Sequence, residues 1–128
     1  RSEVDMVPIR YVNRGYSHAE LFGFFRAAKI GLVTPLRDGM NLVAKEYVAA
    51  QDPEDPGVLI LSRFAGAAAQ LPDAVLVNPH SPDDIDHAIR TALDMPLAER
   101  KNRHEKMIAT VRDDNVQQWT ANFLRDLS

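Results

Sequence analysis

In the run Leu36-Arg37-Asp38-Gly39-Met40-Asn41-Leu42-Val43-Ala44-Lys45-Glu46, two carboxylates flank a stretch suited to an anion. Gly39 lets the backbone approach a ligand closely. The N–H groups of Met40, Asn41 and Leu42 fall in the first turn of a predicted helix, where they have no intrahelical acceptor and the helix dipole favours a phosphate. Asp38 argues against a bare phosphate site, because a carboxylate repels a phosphate, but it suits a neutral polyol whose hydroxyls donate to it. Glu46 follows about two turns later, ~12 Å at 1.5 Å per residue. Two hydroxyl-binding carboxylates with an anion-binding turn between them match the order of a nucleotide sugar: hexose, pyrophosphate, ribose. Acidic residues hold the ribose diol in dinucleotide-binding sheets. The same spacing also fits an N-cap at Asp38 and a solvated Glu46 beside Lys45, and by itself leaves both readings open.

Ligands of open α/β sheets bind beyond the carboxyl ends of parallel strands, so the elements around this run decide whether it can act. Val7 to Val12 reads as a strand ending in the turn Asn13-Arg14-Gly15. Ser17-His18-Ala19-Glu20 has the form of a capping box, and Leu21, Phe24, Phe25 and Ala28 continue at helical spacing. Ile30 to Thr34 is a short apolar run typical of a strand buried on both faces, broken by Pro35 to Gly39. A helix over 40–51 carries the stripe Leu42, Val43, Tyr47 and Val48. Val58 to Ser62 and Ala74 to Val77 read as further strands, with a short Ala-rich helix over 65–71 between them. Ser81 caps a helix with Pro82 at its first position that runs to about Asp94. Residues 97–112 form a charge-dense amphipathic helix, and Val116, Trp119, Phe123, Leu124 and Leu127 mark another. Strands alternating with crossover helices predict an α/β protein with a Rossmann-like parallel sheet and flanking helices, ending in amphipathic helices.

The 128 residues, 45% hydrophobic and 26% charged, are enough for one domain. A net charge of -3 offers no field for a polyanion, so nucleic acid is not an expected partner. The absence of cysteine excludes a disulfide framework, a thiol nucleophile and thiolate metal sites. No apolar stretch nears the ~20 residues of a membrane span, and the first residues lack a signal-peptide core, so a cytoplasmic protein without membrane contact is expected. Starting at Arg1 and entering a strand almost at once, the chain reads as a piece of a larger protein. His18, His87 and His104 lack metal-ligand spacing and are expected at the surface; for His80, at a strand end, an ordinary surface position is expected, with a place facing a cleft as the alternative. Arg100, Lys101, Arg103 and Lys106 alternate with Glu99 and Glu105 and predict a solvated helix face. A phosphoacceptor receiver domain fits the length, but Asn13-Arg14-Gly15 supplies no acidic cluster at the first strand's end.

The run Val33-Thr34-Pro35-Leu36-Arg37-Asp38-Gly39-Met40-Asn41-Leu42-Val43-Ala44-Lys45-Glu46-Tyr47 resembles the donor-site signature of the trehalose-6-phosphate synthase family, retaining glycosyltransferases of the GT-B fold. The likeness continues through Ala49 to Pro53, Gly57 to Leu59, Ser62 to Ala68 and Val77 to Pro79. It implies that residues 1–128 are the C-terminal part of the donor-binding domain, with 97–128 packing on it and reaching toward an N-terminal domain. The implied reaction moves glucose from UDP-glucose to glucose 6-phosphate with retention, needing neither metal nor cofactor, with the departing phosphate taking the acceptor proton. Asp38 would bind glucose hydroxyls, and the backbone of Gly39, Met40, Asn41 and Leu42 the sugar and pyrophosphate. Val43 and Glu46 would hold the ribose, and Tyr16 and Leu21 would line the uracil pocket. The family places the acceptor site and further phosphate-binding Arg and Lys outside this chain, so the chain alone is expected to be inactive. A noncatalytic regulatory or nucleotide-sugar-binding homologue is the alternative, and homo-oligomerisation of the parent stays open.

Overall fold

Ser17 opens the first described helix: its hydroxyl accepts the Glu20 N–H at 3.2 Å, and Glu20 Oε1 accepts the Ser17 N–H at 2.9 Å. This reciprocal capping box satisfies two backbone donors that a helix start leaves over. The computed structural model describes residues 6–8, 17–34 and 41–113. The chain order is β1 (Met6–Pro8), α1 (His18–Ala27), β2 (Ile30–Val33), α2 (Asn41–Ala50), β3 (Val58–Ser62), a 3-10 turn (Gly66–Ala69), β4 (Val75–Val77), α3 (Pro82–Leu93) and α4 (Leu97–Asp113). Tyr16, Asp38, Gly39, Met40, Trp119 and Phe123 lie outside the described residues, as does the strand expected beyond Pro8.

The strands form a parallel sheet in the order β1-β2-β3-β4, with Ile30 opposite Val58 and Ile60 opposite Val75. β3 is buried at every position because strands pair with it on both sides and helices cover both faces. The two-residue period of the strand divides its side chains. Leu59 and Leu61 join Val33 under α1, α2 and α4, whereas Val58 and Ile60 join Ile30 and Val77 under α3. Fully burying a Leu or Ile stabilises the fold by about 1.5–3 kcal/mol relative to exposure, so β3 anchors both layers.

Ser81 caps α3 by accepting the Asp84 N–H at 3.1 Å, with Pro82 at the first helical position and Asp83 and Asp84 in the first turn. Both the residues and their order match the expected helix start. The Ala-rich segment is tighter than expected, a four-residue 3-10 turn ahead of Leu71, whose side chain is fully buried.

α4 departs from the solvated face expected of it. His104 is 5% exposed and its Nε2 lies 3.1 Å from the Val48 carbonyl of α2, which corrects its assignment to the surface. Burial lowers the His104 pKa, although the bond to Val48 opposes that shift. Arg100 donates to the carbonyls of Met95 and Pro56 and to Asp55 Oδ1, at 3.2, 2.8 and 2.6 Å. Its guanidinium holds the Asp55 carboxyl below the ordinary carboxylate value. Arg103 donates to the Asp73 carbonyl at 2.8 Å. The interleaved charges hide a helix bonded along one side to the loops before β3 and β4, while Glu99, Lys101, Glu105 and Lys106 keep the exposed character expected of the face.

Candidate functional site

The orientation of α2 follows from Tyr47. Its ring packs on Gly31 of β2, and its hydroxyl donates to the Ala28 carbonyl, just before β2, at 2.8 Å. The C-terminal half of α2 therefore lies at the amino edge of the sheet, and its first turn, at Asn41 and Leu42, opens at the carboxyl edge where β2 ends with Val33. The first N–H groups of a helix lack intrahelical acceptors, so this turn presents donors at the edge where α/β sheets bind ligands.

The faces of α2 are sharply divided. Ala44, Tyr47 and Val48 are at most 1% exposed and fill the core, and Lys45 is also buried. Val43 is half-buried and packs against the same cluster. Leu42 is 45% exposed, and Glu46, one turn later on the same side, is half-buried. Leu42 and Glu46 thus lie one above the other on the side of α2 that starts exposed and becomes half-buried one turn down. Leu21 of α1, in contrast, is a core residue with 5% exposure.

Other side chains gather at this edge. Ser62 Oγ accepts the Phe64 N–H at 3.0 Å, and the Arg63 N–H reaches the Val77 carbonyl at 2.9 Å. Phe64, itself exposed, sets its ring 5.9 Å from the ring of His80. Asn78 Oδ1 accepts the His80 N–H, and Asp84 Oδ2 accepts the Asn78 N–H and lies 3.7 Å from Arg63. His80 is thus exposed at the carboxyl edge. The sequence assigns no role to Arg63, Phe64 or Asp84, although Arg63 and Phe64 fall in the family-like run; their positions just after β3 and just after the Ser81 cap are the available signal. Among the described residues no group of three or more His, Cys, Asp or Glu could hold a metal ion.

The amino edge holds a cavity of about 240 Å³ lined by residues that include Arg26, Lys29, Gln51, Asp55 and Arg100. Two of its cations are already engaged: Arg26 donates to the Ala50 carbonyl at 3.1 Å, and Arg100 is bonded as above. It lies at the opposite end of α2 from Leu42. Among the described residues no helix is long and apolar enough to cross a membrane.

The model of glycosyltransferase family 20 matches residues 2–128. Trehalose-6-phosphate synthase of Enterobacter sp. (strain 638) is 54% identical over 125 residues, which are 98% of this chain and 26% of that protein. A UDP-forming alpha,alpha-trehalose-phosphate synthase from Burkholderia xenovorans superposes with a TM-score of 0.78 at 57% identity, over 90% of this chain and 26% of that one. An E. coli trehalose-6-phosphate structure bound with UDP-2-fluoro glucose superposes with a TM-score of 0.76 at 52% identity, again over 90% and 26%. The chain spans about a quarter of the length of the relatives it matches.

Proposed function

Because the chain belongs to glycosyltransferase family 20, we propose that it is the donor-binding segment of a trehalose-6-phosphate synthase, which transfers glucose from UDP-glucose to glucose 6-phosphate with retention. The observation that carries this reading is the placement of α2. Its first turn opens at the carboxyl edge of the sheet, with Leu42 exposed and Glu46 half-buried one turn later on the same side. Helix N–H groups there suit the pyrophosphate. Glu46, about one turn further in, accepts from the ribose hydroxyls, and Val43 packs beneath them. Asp38 accepts from the glucose hydroxyls, and the backbone of Gly39, Met40, Asn41 and Leu42 holds sugar and pyrophosphate. Tyr16 takes the uracil end; the burial of Leu21 limits it to shaping the core behind that pocket.

A helix start carries roughly half a unit charge, which stabilises only part of a leaving diphosphate. With the remaining length of such enzymes lying outside this chain, the chain by itself binds donor weakly and does not turn over. Substituting Glu46→Ala in a full-length synthase carrying this segment is the test. Loss of hydrogen bonds to a charged acceptor should weaken donor binding by about 1–3 kcal/mol, read by calorimetry with UDP-2-fluoro glucose, whose fluorine slows transfer, in the absence of acceptor. Unchanged affinity would remove Glu46 from the site.

A further inference from the structure

Tyr47 follows Glu46 in the chain and points into the sheet. Successive helix residues are about 100° apart, so whatever fixes Tyr47 also fixes the direction of Glu46. The Tyr47 ring lies against the bare backbone of Gly31: a Cβ there would come within 2.8–2.9 Å of three ring atoms. Its edge meets Phe25 of α1, with ring centroids 6.2 Å apart. Its hydroxyl reaches past β2 to the Ala28 carbonyl at 2.8 Å. The ring fixes the rotation of α2 about its axis, and the hydroxyl fixes its height along β2.

The rest of the α2 C-terminus is tied in the same region. Gln51 Nε2 donates to the carbonyls of Phe25 and Tyr47, at 2.7 and 3.1 Å, and Gln51 Oε1 accepts the Gly57 N–H at 2.8 Å. Arg26 and His104 bond the carbonyls of Ala50 and Val48. Carbonyls that a helix end leaves over are thus satisfied from α1, α4 and the loop before β3. α2 is held at the end away from the ligand edge, and its first turns project from that anchor.

We propose that Tyr47 is a positioning residue for the nucleotide sugar: its seat on Gly31 and Ala28 sets the rotation and height of α2, and so aims Glu46 at the ribose. The inference rests on the donor reading of Glu46 given above, and it assigns Tyr47 no contact with substrate.

The test uses a full-length synthase carrying this segment and four forms: parent, Tyr47→Phe, Glu46→Ala and the double variant. Tyr47→Phe keeps the ring on Gly31 and removes only the hydroxyl. It should raise KM for UDP-glucose about threefold to tenfold while kcat and KM for glucose 6-phosphate stay within twofold. In the Glu46→Ala background the same change should have no further effect on donor KM. A control, Ile89→Val on the α3 face, lowers the melting temperature without moving donor KM and separates positioning from loss of stability. Overturning outcomes are an unchanged donor KM in Tyr47→Phe while Glu46→Ala raises it, equal effects of Tyr47→Phe in both backgrounds, or an Ile89→Val control that raises donor KM as much. If Glu46→Ala leaves donor KM unchanged, the ribose reading itself fails and the role of Tyr47 with it.

Discussion

The two edges of the sheet are built differently. At the amino edge, buried or half-buried polar groups are bonded across elements: Tyr47 to Ala28, Gln51 to Phe25 and Gly57, and Arg100 to Met95 and Pro56. At the carboxyl edge the side-chain bonds of Ser62, Asn78 and Asp84 join residues within six positions of each other, the Arg63–Asp84 pair is loose at 3.7 Å, and Leu42, Phe64 and His80 stay exposed. Among the described residues, the buried cross-element bonds are concentrated at the end away from the proposed donor site. A buried hydrogen-bond network is worth most where every member is satisfied and water is excluded. A binding edge must instead keep donors and apolar surface available until the ligand covers them.

Substitutions at the two edges should therefore differ in size. The largest effect is expected from Gly57→Ala. A Cβ there would collide with the Tyr47 hydroxyl and approach the Lys29 and Ala28 carbonyls at 2.7 and 2.8 Å. Overpacking against backbone should cost about 2–3 kcal/mol in urea unfolding. A loss below 0.5 kcal/mol would show that the amino edge is softer than described.

A smaller effect concerns pH. Burial lowers the folded-state pKa of His104 from its ordinary value of 6.5, so the unfolded chain takes up the proton first as pH falls. The stability from neutral His104 is therefore fully present above about pH 6.5 and is lost as pH drops through the folded-state value. Urea midpoints should decline from pH 7.5 to pH 5. His104→Gln, which keeps a donor for Val48 but does not titrate, should flatten that decline. An unaltered pH profile would assign the decline to other groups.

The smallest effect belongs to the carboxyl edge. Arg63 and Asp84 form an exposed pair at 3.7 Å, and Arg63→Ala should change unfolding free energy by less than about 0.5 kcal/mol. A loss above 1 kcal/mol would erase the contrast between the edges.

Elements with strong local signals were legible in the sequence. The Ser17 and Ser81 caps, the Pro82 start and the apolar run Val58 to Ser62 each carry their structure in neighbouring residues, and their boundaries agree within a residue or two. The carboxylate spacing and the family match also sit in contiguous residues, so Asp38 to Glu46 could be proposed as a donor run without coordinates. The apolar side of α4 was legible in its amphipathic pattern, with Met107 and Val111 buried, but the inward turn of its charged residues and His104 was not. Its charged residues mask an inward side because Arg100, Arg103 and His104 are satisfied by carbonyls 30 to 56 positions away, and such partners leave no local pattern.

By itself, then, the sequence determined the element types, the parallel α/β class and the family, because propensity, capping and hydrophobic period act over a few residues. Which side of α2 stays open, that Leu21 and His104 go inside, and that the C-terminal end of α2 is the anchored one were decided only in the tertiary structure. These depend on a phenol crossing β2 onto Gly31 and on helices meeting from distant parts of the chain, contacts that exist only once the sheet is assembled.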